Sequence, residues 1–261
     1  KENSMASVYE IYSYLDALLP CALSAEWDND GLMVCENPAG EVGKVMFALD
    51  VTPAVAQYAA DIRADLVISH HPLIFKGIRH MNTDDPAARK IMLLLKEQIA
   101  VMSFHTRLDA ARGGVNDILA ETLRLSDTQP FGPGGDTTGR LGTLSAPCKF
   151  DDFCLFVKHT LDAPSVCAVK GNEPIRRVAV LGGAGKDYIE AAVRAGADAL
   201  VTGEAGYNHM LDAAERGLSV IAAGHYHTEI PFSAFFIRML NEAYPGIEFC
   251  RCPAGCEIRY F

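Results

Sequence analysis

Two histidines stand side by side in Ser69-His70-His71-Pro72-Leu73-Ile74-Phe75, closing the apolar run Asp65-Leu66-Val67-Ile68. The run reads as a buried strand, and two imidazoles at its end are costly to bury without partners. Imidazole is also the commonest protein ligand for transition metals. If both rings face one cleft, they hold one ion or begin a two-ion site.

Two further clusters follow apolar runs. His105-Thr106-Arg107-Leu108-Asp109 ends a strand expected over residues 99–105, and Gly224-His225-Tyr226-His227-Thr228-Glu229 follows a strand expected over 220–223. Each group has a bland reading. Asp109, ahead of Gly113-Gly114 and a helix, suits a cap. Glu229, with Pro231 close behind, suits a favourable charge at a helix N-terminus. His105 reads better as a partner of a ligand, or as a satisfied core histidine, than as a ligand itself. His227 is oriented differently from His225 and is the lesser candidate.

Together the clusters supply His70, His71, Asp109, His225 and Glu229, all at strand ends, where open α/β sheets bind ligands. Three imidazoles and two carboxylates exceed what one zinc with an open position uses. They suit two divalent ions about 3.5–4 Å apart, an arrangement that activates water for hydrolysis. Zinc, iron, manganese and nickel all accept such ligands. His105 and Glu204 are weaker candidates for moving protons.

The elements that would position these groups alternate. Val8, Ile11, Tyr12, Leu15, Leu18 and Leu19 fall at helical spacing. Strands are expected at 44–50, 66–70 and 99–105, with helices at 53–63, 87–98 and 114–125 between and after them. Residues 126–140 break the rhythm, and Phe131-Gly132-Pro133-Gly134-Gly135-Asp136 is the best boundary candidate. Beyond it, strands are expected at 141–145, 166–170, 177–181, 199–202, 220–223 and 247–252, with helices at 151–161 and 232–243. The alternation argues for an α/β protein with its sheet covered by helices, and the length allows one large domain or two lobes. Residues 1–4, ahead of Met5, read as an added remnant.

The bulk numbers narrow the function classes. The chain has 261 residues, 49% hydrophobic and 21% charged, with a formal net charge of -10. That charge argues against a nucleic-acid binder, which needs a basic face. It leaves an anionic substrate open, because bound ions reverse the sign locally. No apolar run reaches about eighteen residues, so no membrane span is expected, and no secretory signal is read. The eight cysteines lack a dense disulfide framework, which suggests reduced thiols and a cytoplasmic protein. Cys250, Cys252 and Cys256 form C-x-C-x3-C, not a usual zinc spacing, so strand-end thiols are expected there.

Glu26-Trp27-Asp28-Asn29-Asp30-Gly31-Leu32, the His70-His71 segment, His105 to Asp109 and Gly224 to Glu229 occur in an order that resembles the Nif-three-like dinuclear-metal family. Its members are often labelled GTP cyclohydrolase 1 type 2 homologues. The resemblance runs over nearly the whole chain from Met5. It implies a fold of two α/β lobes, each a mixed sheet flanked by helices, with a dinuclear metal cleft between them; the first lobe is then expected over residues 5–127 plus 220–261 and the second over 128–219. The resemblance further implies two divalent ions held by His70, His71, Asp109, His225 and Glu229 with Glu229 bridging, and a ring-shaped homohexamer. It also implies the compact form, without the middle insert some members carry. One departure is visible: members often read Gly-Asp-x-Lys-Tyr-His, whereas this chain has Gly203-Glu204-Ala205-Gly206-Tyr207-Asn208-His209, with Gly206 at the lysine position and Asn208 at the histidine position.

Two weaker signals remain. Leu181-Gly182-Gly183-Ala184-Gly185-Lys186 could present backbone amides to a phosphate, although a plain tight turn is the stronger reading. Trp27 either stacks on a heterocycle or anchors the Asp28-Asn29-Asp30-Gly31 turn in the core. No nucleophile elbow or Walker-type lysine loop is present. The expectation is a metal-dependent hydrolase of a nucleotide or another phosphorylated small molecule. The alternative is a metal-binding oligomeric scaffold or regulator without turnover.

Overall fold

The computed structural model describes residues 5–253 and residue 258. After α1 (Val8–Leu18) come β1 (Gly31–Val34), β2 (Lys44–Ala48), α2 (Pro53–Asp61), β3 (Leu66–Ser69), α3 (Pro86–Lys96) and β4 (Ala100–Ser103). Then follow α4 (Thr106–Ala110), α5 (Val115–Thr122), β5 (Ser126–Phe131), β6 (Gly139–Cys148), α6 (Phe150–Thr160) and β7 (Cys167–Val169). The rest are β8 (Ile175–Ala184), α7 (Ile189–Arg194), β9 (Ala199–Glu204), α8 (Tyr207–Glu215), β10 (Ser219–Ala222), α9 (His225–Glu229), α10 (Ser233–Ala243) and β11 (Glu248–Arg251). The chain groups into two units, Lys1–Leu108 with Phe232–Glu257, and Asp109–Pro231 with Ile258–Phe261.

Local chemistry sets several helix starts. The Ser7 hydroxyl accepts from the Glu10 amide while the Glu10 carboxylate accepts from the Ser7 amide, a closed capping box ahead of α1. Thr52 and Asp85 cap α2 and α3, each followed by a proline whose missing N–H costs nothing in the first turn.

The first unit holds a five-stranded sheet in the order β1-β4-β3-β2-β11, parallel except for β1. Every residue of β3 and β4 is buried, as parallel strands covered on both faces require. Met46, Val67 and Val101 pack with Val55 and Ala59 of α2 and with Ile91 and Leu94 of α3. Phe47, Phe104, Phe232 and Phe236 pack ring against ring in the same unit. Leu94 is wholly buried, so truncating it to alanine costs about 2–5 kcal/mol. Cys250 and Cys252 pack against this core; Cys256, like residues 1–4, lies outside the described residues.

The second unit holds a six-stranded mixed sheet, β5-β6-β8-β9-β10-β7, with β8, β9 and β10 parallel. Helix α5 packs on β8 and β6, bringing Leu119, Ala120 and Leu123 into a core with Val178, Val180 and Val201. The stretch 126–140, expected as a break, is a hairpin: polar β5 pairs antiparallel with β6 and places Phe131 opposite Gly139. The Phe131 ring fills the space where a residue-139 side chain would start, 2.4 Å from its β-carbon position. The turn formers between them serve the hairpin, and its strand was hidden because five of its six residues are exposed.

Candidate metal centre

In the first unit the parallel ladder pairs Ser69 with Ser103. His70 and His71 therefore leave the sheet beside His105, which follows the neighbouring strand. The Ser69 and Ser103 hydroxyls share a hydrogen bond of 2.8 Å beneath them. Ring centroids of the three histidines lie 5.2, 5.3 and 5.5 Å apart. One ring nitrogen from each lies within 4.8 Å of the other two, close enough for a common cation.

Each ring is held by its Nδ1. His70 Nδ1 meets the Phe104 carbonyl at 3.0 Å, His71 Nδ1 meets Asp50 Oδ1 at 2.7 Å, and His105 Nδ1 meets Asp28 Oδ1 at 3.0 Å. An Nδ1–H donated to an oxygen leaves Nε2 as the lone-pair nitrogen and fixes the ring's aim, the usual arrangement behind metal-binding histidines. Burial would raise the Asp28 carboxyl, but hydrogen bonds from His105 and Thr106 prevail and hold it well below the usual carboxylate range.

In the second unit the carboxyl ends of β8, β9 and β10 lead to Gly183, Glu204 and His225. His225 Nδ1 meets Glu204 Oε1 at 3.2 Å, and its Nε2 lies 3.0 Å from Glu229 Oε2. Glu229 is the last residue of α9 and is buried. It therefore does not serve as a charge at a helix N-terminus. Gly183, with φ of +66°, leaves the space that Glu229 and His225 use: a β-carbon there would fall 2.3 Å from Glu229 Oε1 and 3.2 Å from His225 Nε2. Asp109, in the same unit, accepts from Asn116 Nδ2 through its backbone carbonyl at 3.2 Å. Burial pushes the His227 imidazole down from its ordinary value.

The Gly182-Gly183 segment is no phosphate cradle. It lies inside β8, the Gly182 amide donates to Asn116 Oδ1, and the Gly183 amide donates to Thr228 Oγ1. Trp27 is no core anchor either, being 64% exposed. The turn it precedes is held instead by Asp28 and by Arg107, whose guanidinium donates to both oxygens of Asp30 at 2.9 and 2.6 Å. The anchors Asp28 and Asp50 were not singled out from sequence. Two signals were available: Asp50 closes the strand expected at 44–50, next to the His70-His71 strand, and Asp28 lies in the Glu26 to Leu32 motif.

The three imidazoles of the first unit, each held through Nδ1, are donors that fit a divalent transition ion, and His225 with the buried Glu229, given room by Gly183, offers donors of the same kind in the second. A family model described as Duf34/NIF3 (NGG1p interacting factor 3) matches residues 6–253. The chain belongs to the DUF34/NIF3 family. Among DUF34/NIF3 relatives, a Clostridium perfringens protein named GTP cyclohydrolase 1 type 2 homolog is 32% identical over 228 residues, covering 85% of this chain and 86% of the relative. A Methanocaldococcus jannaschii protein of the same name is 32% identical over 223 residues, covering 85% and 89%. The solved structure of a Bacillus cereus protein related to NIF3 has the same fold, with a TM-score of 0.90 over 99% of each chain at 24% identity. Reduced HcgD from Methanocaldococcus jannaschii matches with a TM-score of 0.83 at 28% identity, over 95% of this chain and 98% of that one. The DUF34/NIF3 fold is thus mixed α/β, with two mixed sheets flanked by helices. Among the described residues no helix is long and apolar enough to cross a membrane.

Proposed function

We propose that His70, His71, Asp109, His225 and Glu229 together hold two divalent ions, with Glu229 bridging. The protein then acts as a metal-dependent hydrolase of a nucleotide or another phosphorylated small molecule. The observation that carries the reading is the engagement of Nδ1 of His70, His71 and His225 by a carbonyl or carboxylate oxygen, which fixes the aim of each ring as it does behind metal-binding histidines. The names of the relatives support the hydrolase class and a nucleotide substrate. Two ions would supply Lewis-acid activation of a water and stabilise developing negative charge. His105, backed by Asp28, and Glu204, backing His225, are the groups placed to hold or pass a proton. On this reading the chain works in the cytoplasm as a ring-shaped homohexamer, a mass that light scattering measures.

Elemental analysis of the purified protein, beside turnover of a nucleotide and phosphoester panel with added manganese, zinc or iron, tests both halves. Two ions per chain, lost in Glu229→Gln, together with hydrolysis of a panel member, is the expected result. Two tightly held ions with no turnover anywhere would leave a metal-binding scaffold or regulator instead.

A further inference from the structure

Trp27 and Phe75 are 64% and 48% exposed, and they touch each other rather than stand apart on the surface. Their ring centroids lie 6.1 Å apart at 63°, and both rings are edge-on to His105, at 5.9 and 6.5 Å. Neither aromatic side chain is spent on the core. The backbone beneath them is nonetheless tied down: Asp28 accepts from the Thr106 amide at 3.0 Å, and the Asn29 side-chain amide donates to the Ile74 carbonyl. Two loops are joined so that a pair of aromatic faces stays open to solvent. Holding them there exposes apolar area that a packed position would hide.

Phe75 also lines a cavity of about 510 Å³ whose walls include Lys76, Arg79 and His80. That volume lies in the range of small-molecule sites. Lys76 and Arg79 are exposed, and neither makes an ion pair among the described residues. A chain with a formal net charge of -10 thus sets two cations beside Phe75, in a cavity whose one carboxylate, Asp85, accepts from the Ala87 and Ala88 amides at the start of α3. Aromatic faces bind flat π-systems with little regard to their sequence or substituents, and cations add attraction for an anionic group attached to them.

We propose that Trp27, Phe75, Lys76 and Arg79 form a binding subsite for a planar heteroaromatic ring carrying an anionic tail. The ring stacks on Trp27 and Phe75, and the tail meets Lys76 and Arg79. The subsite lies wholly in the first unit and stands whether or not the ions and the hydrolysis proposed above do.

Trp27 is the only tryptophan in the chain, so intrinsic emission reports on this surface directly. The 261-residue chain, first stripped with a chelator and then reloaded with manganese, is titrated with guanosine monophosphate, guanosine and ribose 5-phosphate. Guanosine monophosphate should quench the emission saturably in both preparations, guanosine about tenfold more weakly, and ribose 5-phosphate not at all. Phe75→Ala should weaken the nucleotide about tenfold, and Lys76→Ala with Arg79→Ala should erase the preference for nucleotide over nucleoside. Circular dichroism checks that these surface variants are folded. Emission blind to both guanine ligands, an unchanged dissociation constant in Phe75→Ala, or quenching that vanishes with the metal would each overturn the proposal. So would an emission change that follows protein concentration alone, which would assign the patch to a second copy of the chain.

Discussion

Gly183 and Glu229 share one small volume: a β-carbon on residue 183 would lie 2.3 Å from Oε1 of the glutamate. With φ at +66°, any L side chain at 183 also meets backbone strain of about 1–2 kcal/mol. Gly183→Ala should therefore fold with a lowered melting temperature and push Glu229 out of place. Metal content measured by mass spectrometry should fall by at least half relative to the parent. Full occupancy in a folded Gly183→Ala protein would remove Glu229 from the ligand set.

Asp50 steers His71 from the solvent side, at 2.7 Å from Nδ1. Removing a carboxylate that orients a metal-binding imidazole typically weakens affinity about 10- to 100-fold. Asp50→Ala should show that loss in a competitive chelator titration. Its fold should be untouched, because the Asp50 side chain is half exposed. An unchanged affinity would mean that His71 needs no steering.

Asp28 makes acid stability testable. Its carboxyl is held well below the usual range, whereas an unfolded aspartate titrates near about 3.9. A folded value below the unfolded one adds stability above that pH and gives it back as the pH falls further. Between pH 6 and pH 3, the urea midpoint of the parent should drop further than that of Asp28→Asn. Parallel losses would show that the hydrogen bonds from His105 and Thr106 do not depend on the charge.

Arg107 is 1% exposed and its partner Asp30 4%; Asp16 and the Leu19 carbonyl accept from the same guanidinium, each at 2.7 Å. Breaking a buried pair by removing one partner strands the other charge and costs about 3–5 kcal/mol. Arg107→Met, which strands the buried Asp30 carboxylate, should lose that much in chemical unfolding, while Arg107→Met with Asp30→Leu should recover a large part. A small loss in the single variant would mean that water reaches Asp30.

Six helices and most strands were legible because periodicity and capping are local, whereas α4, α7, α8 and α9 were given no range. Thr52-Pro53 announces α2, the inward spacing of Ile91, Leu94 and Leu95 announces α3, and the apolar runs at 66–69 and 100–103 announce buried strands. What escaped depends on partners distant in sequence. Polar β5 is a strand only because β6 pairs with it, and Gly182-Gly183 lie inside β8 because Asn116 and Thr228 take their amides. Of the site, the imidazoles at strand ends could be read directly. Asp28 and Asp50, which aim two of them, are 77 and 21 residues away from the rings they hold. Carboxylates at such separations carry no local signature.

The pairing of Ser69 with Ser103 makes the main chain the ruler for the histidine cluster. His70 and His105 depart from neighbouring rails whose separation, about 4.8 Å, is fixed by peptide hydrogen bonds common to every sequence. Side chains in α2 and α3 can drift over generations, provided they still fill the core, without altering the gauge between those rails. The spacing between a proposed ion ligand, His70, and a proposed proton carrier, His105, is thus set by the backbone ladder rather than by the side chains packed around it.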